Sequence, residues 1–303
     1  MQIKLRLYLI LFAFFLFLLD WVFVLTNSTQ ISFLILVLIL FGVPHGALDL
    51  YIDHHLRKSE SNQKIFLLKY IGNIIAYALV WYFFPIAALI IFILITAYHF
   101  GEIDWMGKTE NIIHKIAYSV IGLLWILFLL SKNVNFALEV FMRMERSAFN
   151  EKQWIHLANK IYPITLIGLF AVYAILFFFK GLFFSKNKYY YYLITQQLTL
   201  IVFALFMPLW LCFAFYFGFW HSLLSFDKIR ITFNMPNNFI GWKDLLIKAA
   251  PFSIMAWFGF VYITLLTLNS KDASGIFTLL FISLSVLALP HLQIFTKIKL
   301  KED

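Results

Sequence analysis

The chain has 303 residues, of which 63% are hydrophobic and 13% are charged, whereas soluble domains carry about 25% charged residues. This composition excludes a soluble globular domain and indicates a protein that crosses a membrane several times. The net charge of +9 does not indicate a nucleic-acid partner, because the basic residues lie in short loops between apolar segments. The one cysteine, Cys212, excludes an internal disulfide and a cysteine-rich metal site.

Apolar segments long enough to cross a bilayer as a helix, about 20 residues each, occur ten times along the chain. In chain order the predicted spans cover residues 7–26, 31–51, 65–83, 85–104, 112–130, 161–179, 190–207, 208–226, 248–268 and 275–295. Pro85 and Pro208 mark tight turns between neighbouring spans. No internal repeat and no Gly/Ser-rich linker divides the sequence. We therefore predict an all-α fold, a polytopic helical bundle of about ten spans, in which residues 1–303 form a single transmembrane domain.

The loops between these spans predict the orientation of the protein in the membrane. Eighteen of the 24 lysine and arginine residues fall on the side that holds the N-terminus. Because cytoplasmic loops carry the excess of positive charge, we predict that both termini lie in the cytoplasm and that the protein is a multi-pass protein of the inner (plasma) membrane. Lys4 and Arg6 before the first span also resemble the start of a secretory signal. No small-residue cleavage site follows, so we expect this span to be retained.

Four histidines lie at one depth in this topology. They occupy the second, fourth, eighth and tenth spans, which all run in the same direction, and each follows its span's first residue by 13 to 16 positions: His45, His99, His221 and His291. At about 1.5 Å per residue, each lies roughly 20–24 Å from the outer surface. A single histidine inside a membrane is often hydrogen-bonded to a neighbouring helix. Four in one layer instead indicate a site for Fe(II), Zn(II) or Cu(II).

Acidic residues and prolines flank these histidines. Asp49 follows His45 by one helical turn, and Glu102 follows His99 by three residues. Either carboxylate could orient a ligand histidine, or it could end its span at water. Pro44 and Pro290 directly precede a histidine, which loosens the helix where the imidazole must turn inward.

The sequence blocks around the histidines resemble a known family. PHGALD at 44–49, YHFGEIDW at 98–105, FWHS at 219–222 and PHL at 290–292 are similar, in matching order, to signature blocks of the Brp/Blh family of β-carotene dioxygenases. The resemblance implies an integral-membrane, iron-dependent oxygenase that uses O2 to split β-carotene at its central 15,15′ double bond into two retinals. It also implies that His45, His99 and His221 are ligands of Fe(II).

The chain departs from this family pattern at one position. Family members typically carry a second histidine four residues after the FWHS histidine, and here that residue is Ser225. Serine is a poor ligand for Fe(II), so we expect His291, at a compatible depth, to be the fourth ligand, ahead of Asp227 or a water molecule held by Ser225. Asp49 and Glu102 are the acidic residues that we expect to support the site.

Other functions remain open at this point. A metal or proton transporter would need polar residues leading to the outer surface, but the outer halves of these spans are nearly all apolar. A haem-binding redox protein would pair histidines as axial ligands. Membrane desaturases carry HxxxH or HxxHH motifs, which are absent here. A carotenoid dissolves in the bilayer, so an intramembrane site would meet this substrate directly. The sequence does not indicate the oligomeric state.

Overall fold

The computed structural model describes residues 2–56, 63–105, 112–135, 137–138, 150–179, 190–268 and 273–298. Many of the loop residues on which the predicted orientation depends, including Arg57, Lys108 and Lys186, lie outside the described residues. The cytoplasmic placement of the termini therefore stays a prediction.

Ten long helices make up most of the described chain, and no strand occurs among the described residues. In chain order they are α1 (Gln2–Phe23), α2 (Asn27–Leu56), α3 (Gln63–Phe83), α4 (Pro85–Asp104), α5 (Ile112–Lys132), α6 (Glu151–Phe178), α7 (Tyr190–Phe206), α8 (Leu209–Thr232), α9 (Phe239–Leu268) and α10 (Ala273–Phe295). Within the described ranges nine helices are long and apolar enough to cross a membrane, and α7 is a shorter apolar helix of 17 residues. The predicted all-α, polytopic fold is confirmed, with one helix for each predicted span.

Several helices extend beyond the apolar segments that predicted them. The helix α6 starts ten residues earlier than expected, at Glu151, because Asn150 and Gln153 form a capping box that satisfies backbone N–H groups at its start. The helix α8 continues to Thr232 through Lys228 and Arg230, which lie beyond the predicted span 208–226. Both side chains are buried in the structure. Each is paired with a carboxylate, so the burial of its charge is compensated.

Glycines allow α4 and α5 to pack with their backbones in contact. A methyl group added at Gly101 would overlap the backbone carbonyl of Tyr118, and one added at Gly122 would overlap that of Ala97. Small residues at such a crossing are the usual means of close approach between membrane helices. This crossing fixes the position of α4, which carries His99.

Two of the helices that carry histidines contain stretches of π-helix. The helix α2 is π-helical over Leu38–Gly42, which ends two residues before Pro44, and has a break at 47–48. The helix α8 is π-helical over Ala214–His221. Proline has no backbone N–H to donate, which explains the irregularity in α2. Such π-helical segments are frequent at functional sites because they redirect side chains.

Candidate metal centre

The four histidines of the sequence analysis come together in the interior of the bundle. All four are at least 93% buried. Their rings form a closed circle in the order His45, His221, His99 and His291, with neighbouring centroids 5.2, 4.7, 5.1 and 5.1 Å apart. Neighbouring ring planes lie at 78° to 90° to each other. One ring nitrogen from each of His45, His99 and His221 lies within 4.8 Å of the other two.

Several imidazole nitrogens in this circle have no hydrogen-bond partner among the described residues. They are Nδ1 of His45, both ring nitrogens of His99, both of His221, and Nε2 of His291. An unpaired buried polar atom costs about 1–3 kcal/mol, so leaving several in one place is costly for a purely structural cluster. Neutral imidazoles with free lone pairs are good ligands for Fe(II), Zn(II) or Cu(II). The donor set therefore fits a metal ion.

His291 is held in place by a carboxylate and a tyrosine. Its Nδ1 donates to Oδ1 of Asp49 at 2.8 Å, and the hydroxyl of Tyr70 donates to Oδ2 of the same carboxylate at 2.8 Å. With the proton on Nδ1, the lone pair is on Nε2, the nitrogen that has no partner. A carboxylate behind a histidine is the usual way in which metal-binding sites orient a ligand and raise its basicity.

Asp227 and Ser225 were the other candidates for a fourth ligand. Both Nε and Nη2 of Arg230 donate to Oδ1 of Asp227, at 2.8 and 2.7 Å. Ser225 is fully buried, and its hydroxyl has no hydrogen-bond partner in the described parts of the chain. By contrast, the ring of His291 contacts the rings of both His45 and His99.

The similarity to known proteins agrees with this geometry. Residues 36–299, which include all four histidines, match the model of a family described as β-carotene 15,15′-dioxygenase. The chain belongs to the β-carotene 15,15′-dioxygenase family. A protein with that name from the uncultured marine bacterium 66A03 is 29% identical over 273 residues, which are 85% of this chain and 90% of the relative. No solved structure matches the chain significantly. The resemblance seen in the sequence blocks is thereby confirmed.

The second acidic residue predicted to support the site, Glu102, has a different partner in this member of the β-carotene 15,15′-dioxygenase family. Its Oε1 accepts from Nζ of Lys228 at 2.9 Å, and the lysine is buried. The ammonium group also lies 4.8 Å from the centre of the Phe295 ring, which is itself 4.8 Å from the ring of His99. Glu102 therefore compensates a buried charge beside the histidines.

A second group of buried polar residues was missed by the sequence analysis. Asp104, the last residue of the predicted span 85–104, is 2% exposed and accepts from the hydroxyl of Tyr216 and the indole N–H of Trp220. Arg6, which was assigned to the cytoplasmic side, is fully buried and donates to backbone carbonyls at the end of α4. The sequence did contain a sign that these two residues are buried, because each charged residue lies at the edge of an apolar span. Their partners are distant in sequence and could not be inferred.

Aromatic side chains enclose the histidine circle. Phe217 is stacked on His221 with 12° between the planes, and the ring of Phe100 lies 4.3 Å from that of His221. Phe295 contacts both His99 and His291. These walls keep water away from the imidazoles and present apolar surface to any molecule that reaches them.

Proposed function

We propose that this chain is a membrane dioxygenase that uses O2 to cleave β-carotene, or a related carotenoid, at its central double bond to retinal. Membership of the β-carotene 15,15′-dioxygenase family supports this function. The observation that carries the proposal is the circle of four buried imidazoles, several of whose nitrogens lack a partner among the described residues. Such a circle has no evident structural use and is a suitable set of ligands for an ion.

We propose that the ion is Fe(II) and that its ligands are His45, His99, His221 and His291. Iron is favoured because the reaction is a redox reaction with O2 and because imidazole suits Fe(II). The ion would supply the one-electron chemistry that lets O2 react with a closed-shell double bond. In the overall reaction the double bond is broken and each of its two carbons receives one oxygen atom. One carotenoid and one O2 therefore give two aldehydes.

The residues of the chain have separate tasks in this proposal. Asp49 and Tyr70 hold His291 through its Nδ1, so that Nε2 is the nitrogen that would bind the ion. Phe100, Phe217 and Phe295 exclude water and offer apolar surface for a polyene. The substrate would arrive through the bilayer, in which it is dissolved, so the chain needs no polar path to bulk water.

A haem-binding function receives less support from this geometry. Axial histidines bind on opposite faces of a porphyrin, which must lie between them. Here each ring contacts two neighbouring rings at 4.7 to 5.2 Å between centroids, which leaves no plane for a porphyrin.

The test is production of the protein in a bacterial host that accumulates β-carotene, followed by extraction of the pigments and measurement of iron in the purified protein. We expect retinal and one equivalent of iron for the wild type, and neither for His45→Ala or His99→Ala. His156→Ala, at an exposed position on α6, is the matched control and should behave as the wild type. Iron-loaded protein that produced no aldehyde from any carotenoid under O2 would contradict the enzymatic function.

A further inference from the structure

The segment of α8 that carries His221 has an unusual backbone. Ala214–His221 is π-helical, with hydrogen bonds that span five residues in place of four. Neither ring nitrogen of His221 has a hydrogen-bond partner among the described residues. The position of this imidazole therefore depends on whatever holds the backbone of the segment.

Asp104 makes the polar contacts that hold this segment. Its Oδ2 accepts from the hydroxyl of Tyr216 at 2.7 Å, and its Oδ1 accepts from Nε1 of Trp220 at 2.8 Å. The two donors lie five positions and one position before His221. All three side chains are at least 96% buried, so the hydrogen bonds are shielded from competing water.

Asp104 is itself fixed at the C-terminal end of α4. The guanidinium of Arg6 donates to the backbone carbonyls of Ile103 at 2.5 Å and Asp104 at 2.8 Å. It also lies 5.4 Å from the centre of the Trp220 ring. These contacts satisfy carbonyl groups that a helix end leaves without intrahelical partners. Because α4 also carries His99, the same residue ties together the two helices whose histidines lie 4.7 Å apart between ring centroids.

We propose that Asp104 is a positioning residue: through Tyr216 and Trp220 it holds the π-helical segment of α8 and thereby sets the position of His221 relative to His99. The inference rests on the proposed metal site and adds to it a residue that contacts no ligand histidine directly. Its physical basis is that a metal site tolerates only small displacements of its ligands. A carboxylate that accepts two hydrogen bonds from the segment before a ligand restricts that displacement.

The test compares Co(II) binding by purified wild-type protein with that by Tyr216→Phe and Asp104→Asn. Co(II) serves as the probe because its visible absorption reports the geometry of its ligands. Tyr216→Phe removes one donor to Asp104 and keeps the aromatic ring, so it is the milder change. The matched control is Tyr77→Phe, which removes a buried hydroxyl that donates to the carbonyl of Ala88 at 2.8 Å between α3 and α4. Thermal unfolding of the metal-free proteins is measured in parallel.

We expect Co(II) affinity to fall about tenfold in Tyr216→Phe, with a shifted absorption band, while Tyr77→Phe retains the wild-type affinity and band. Unchanged affinity and band in both Tyr216→Phe and Asp104→Asn would overturn the positioning role. So would a loss of thermal stability in Tyr216→Phe that leaves the band unaltered, because that result describes a structural contact. A wild-type protein that binds no Co(II) would instead overturn the metal centre itself, and this inference with it.

Discussion

Nδ1 of His291 lies 2.8 Å from Oδ1 of Asp49, although 242 positions separate the two residues in the chain. The contact joins α10 to α2, and Tyr70 of α3 extends it. It leaves Nε2 of His291 as the ring nitrogen without a hydrogen-bond partner among the described residues. Ser225 stands where the family resemblance implies a further histidine, and we propose that His291, from another helix, takes that place.

Replacement of Asp49 by asparagine should weaken metal binding. Asparagine retains the shape of aspartate but removes the negative charge that Nδ1 of His291 faces, so we expect a loss of about tenfold in affinity. Titration of the metal-free protein with Fe(II) or Co(II) measures the loss. Asp244→Asn, at an ion pair on the surface, is the control. Equal affinity in Asp49→Asn and the wild type would contradict a role for Asp49 in orienting His291.

His291→Ala should lose metal as severely as His45→Ala, whereas Ser225→Ala should retain it. Ser225 is buried with an unpaired hydroxyl among the described residues, so its removal should leave stability unchanged or raise it by about 1 kcal/mol. Metal analysis and thermal unfolding of the three variants provide the comparison. Loss of metal in Ser225→Ala, with metal retained in His291→Ala, would show that a water held by Ser225 is the fourth ligand.

Glu102→Gln should destabilise the protein through Lys228. The substitution leaves a buried ammonium group without its carboxylate, and such losses cost about 3–5 kcal/mol. The double variant Glu102→Gln/Lys228→Met removes the charge as well and should recover most of this stability. Unfolding of each variant measures the effect. If the double variant is stable but inactive, Glu102 has a role in the reaction beyond its ion pair.

Gly101→Ala and Gly122→Ala should each destabilise the bundle by about 1–3 kcal/mol, because the added methyl group would force the backbones of α4 and α5 apart. Gly72 of α3 is the matched control, since a methyl group there meets nothing within 4 Å. Gly72→Ala should therefore be neutral or slightly stabilising, as alanine favours helix. Thermal unfolding in detergent compares the three variants. Equal effects at Gly101 and Gly72 would show that the close crossing of α4 and α5 does not contribute to stability.

The apolar length of each segment is a local property, and it was sufficient to predict the ten helices. Within a bilayer each of these segments must form the hydrogen bonds of its backbone N–H and C=O groups internally. The helix is the structure in which a single segment does so. The common depth of His45, His99, His221 and His291 also follows from counting residues along straight helices. The prediction that four imidazoles share one layer therefore did not require knowledge of how the helices pack.

Tertiary structure decided which side chains meet within that layer. A charged residue in the sequence shows that a compensating partner is needed, but the partner is found by packing across helices that are distant in the chain. For this reason the sequence left Arg6 and Lys228 outside the spans predicted at 7–26 and 208–226, although the structure buries both of them. The same reason explains why Glu102 pairs with a lysine and Asp104 with Tyr216 and Trp220. Helix lengths depend on local apolar sequence, whereas the orientation of each imidazole depends on contacts that only the folded bundle brings together.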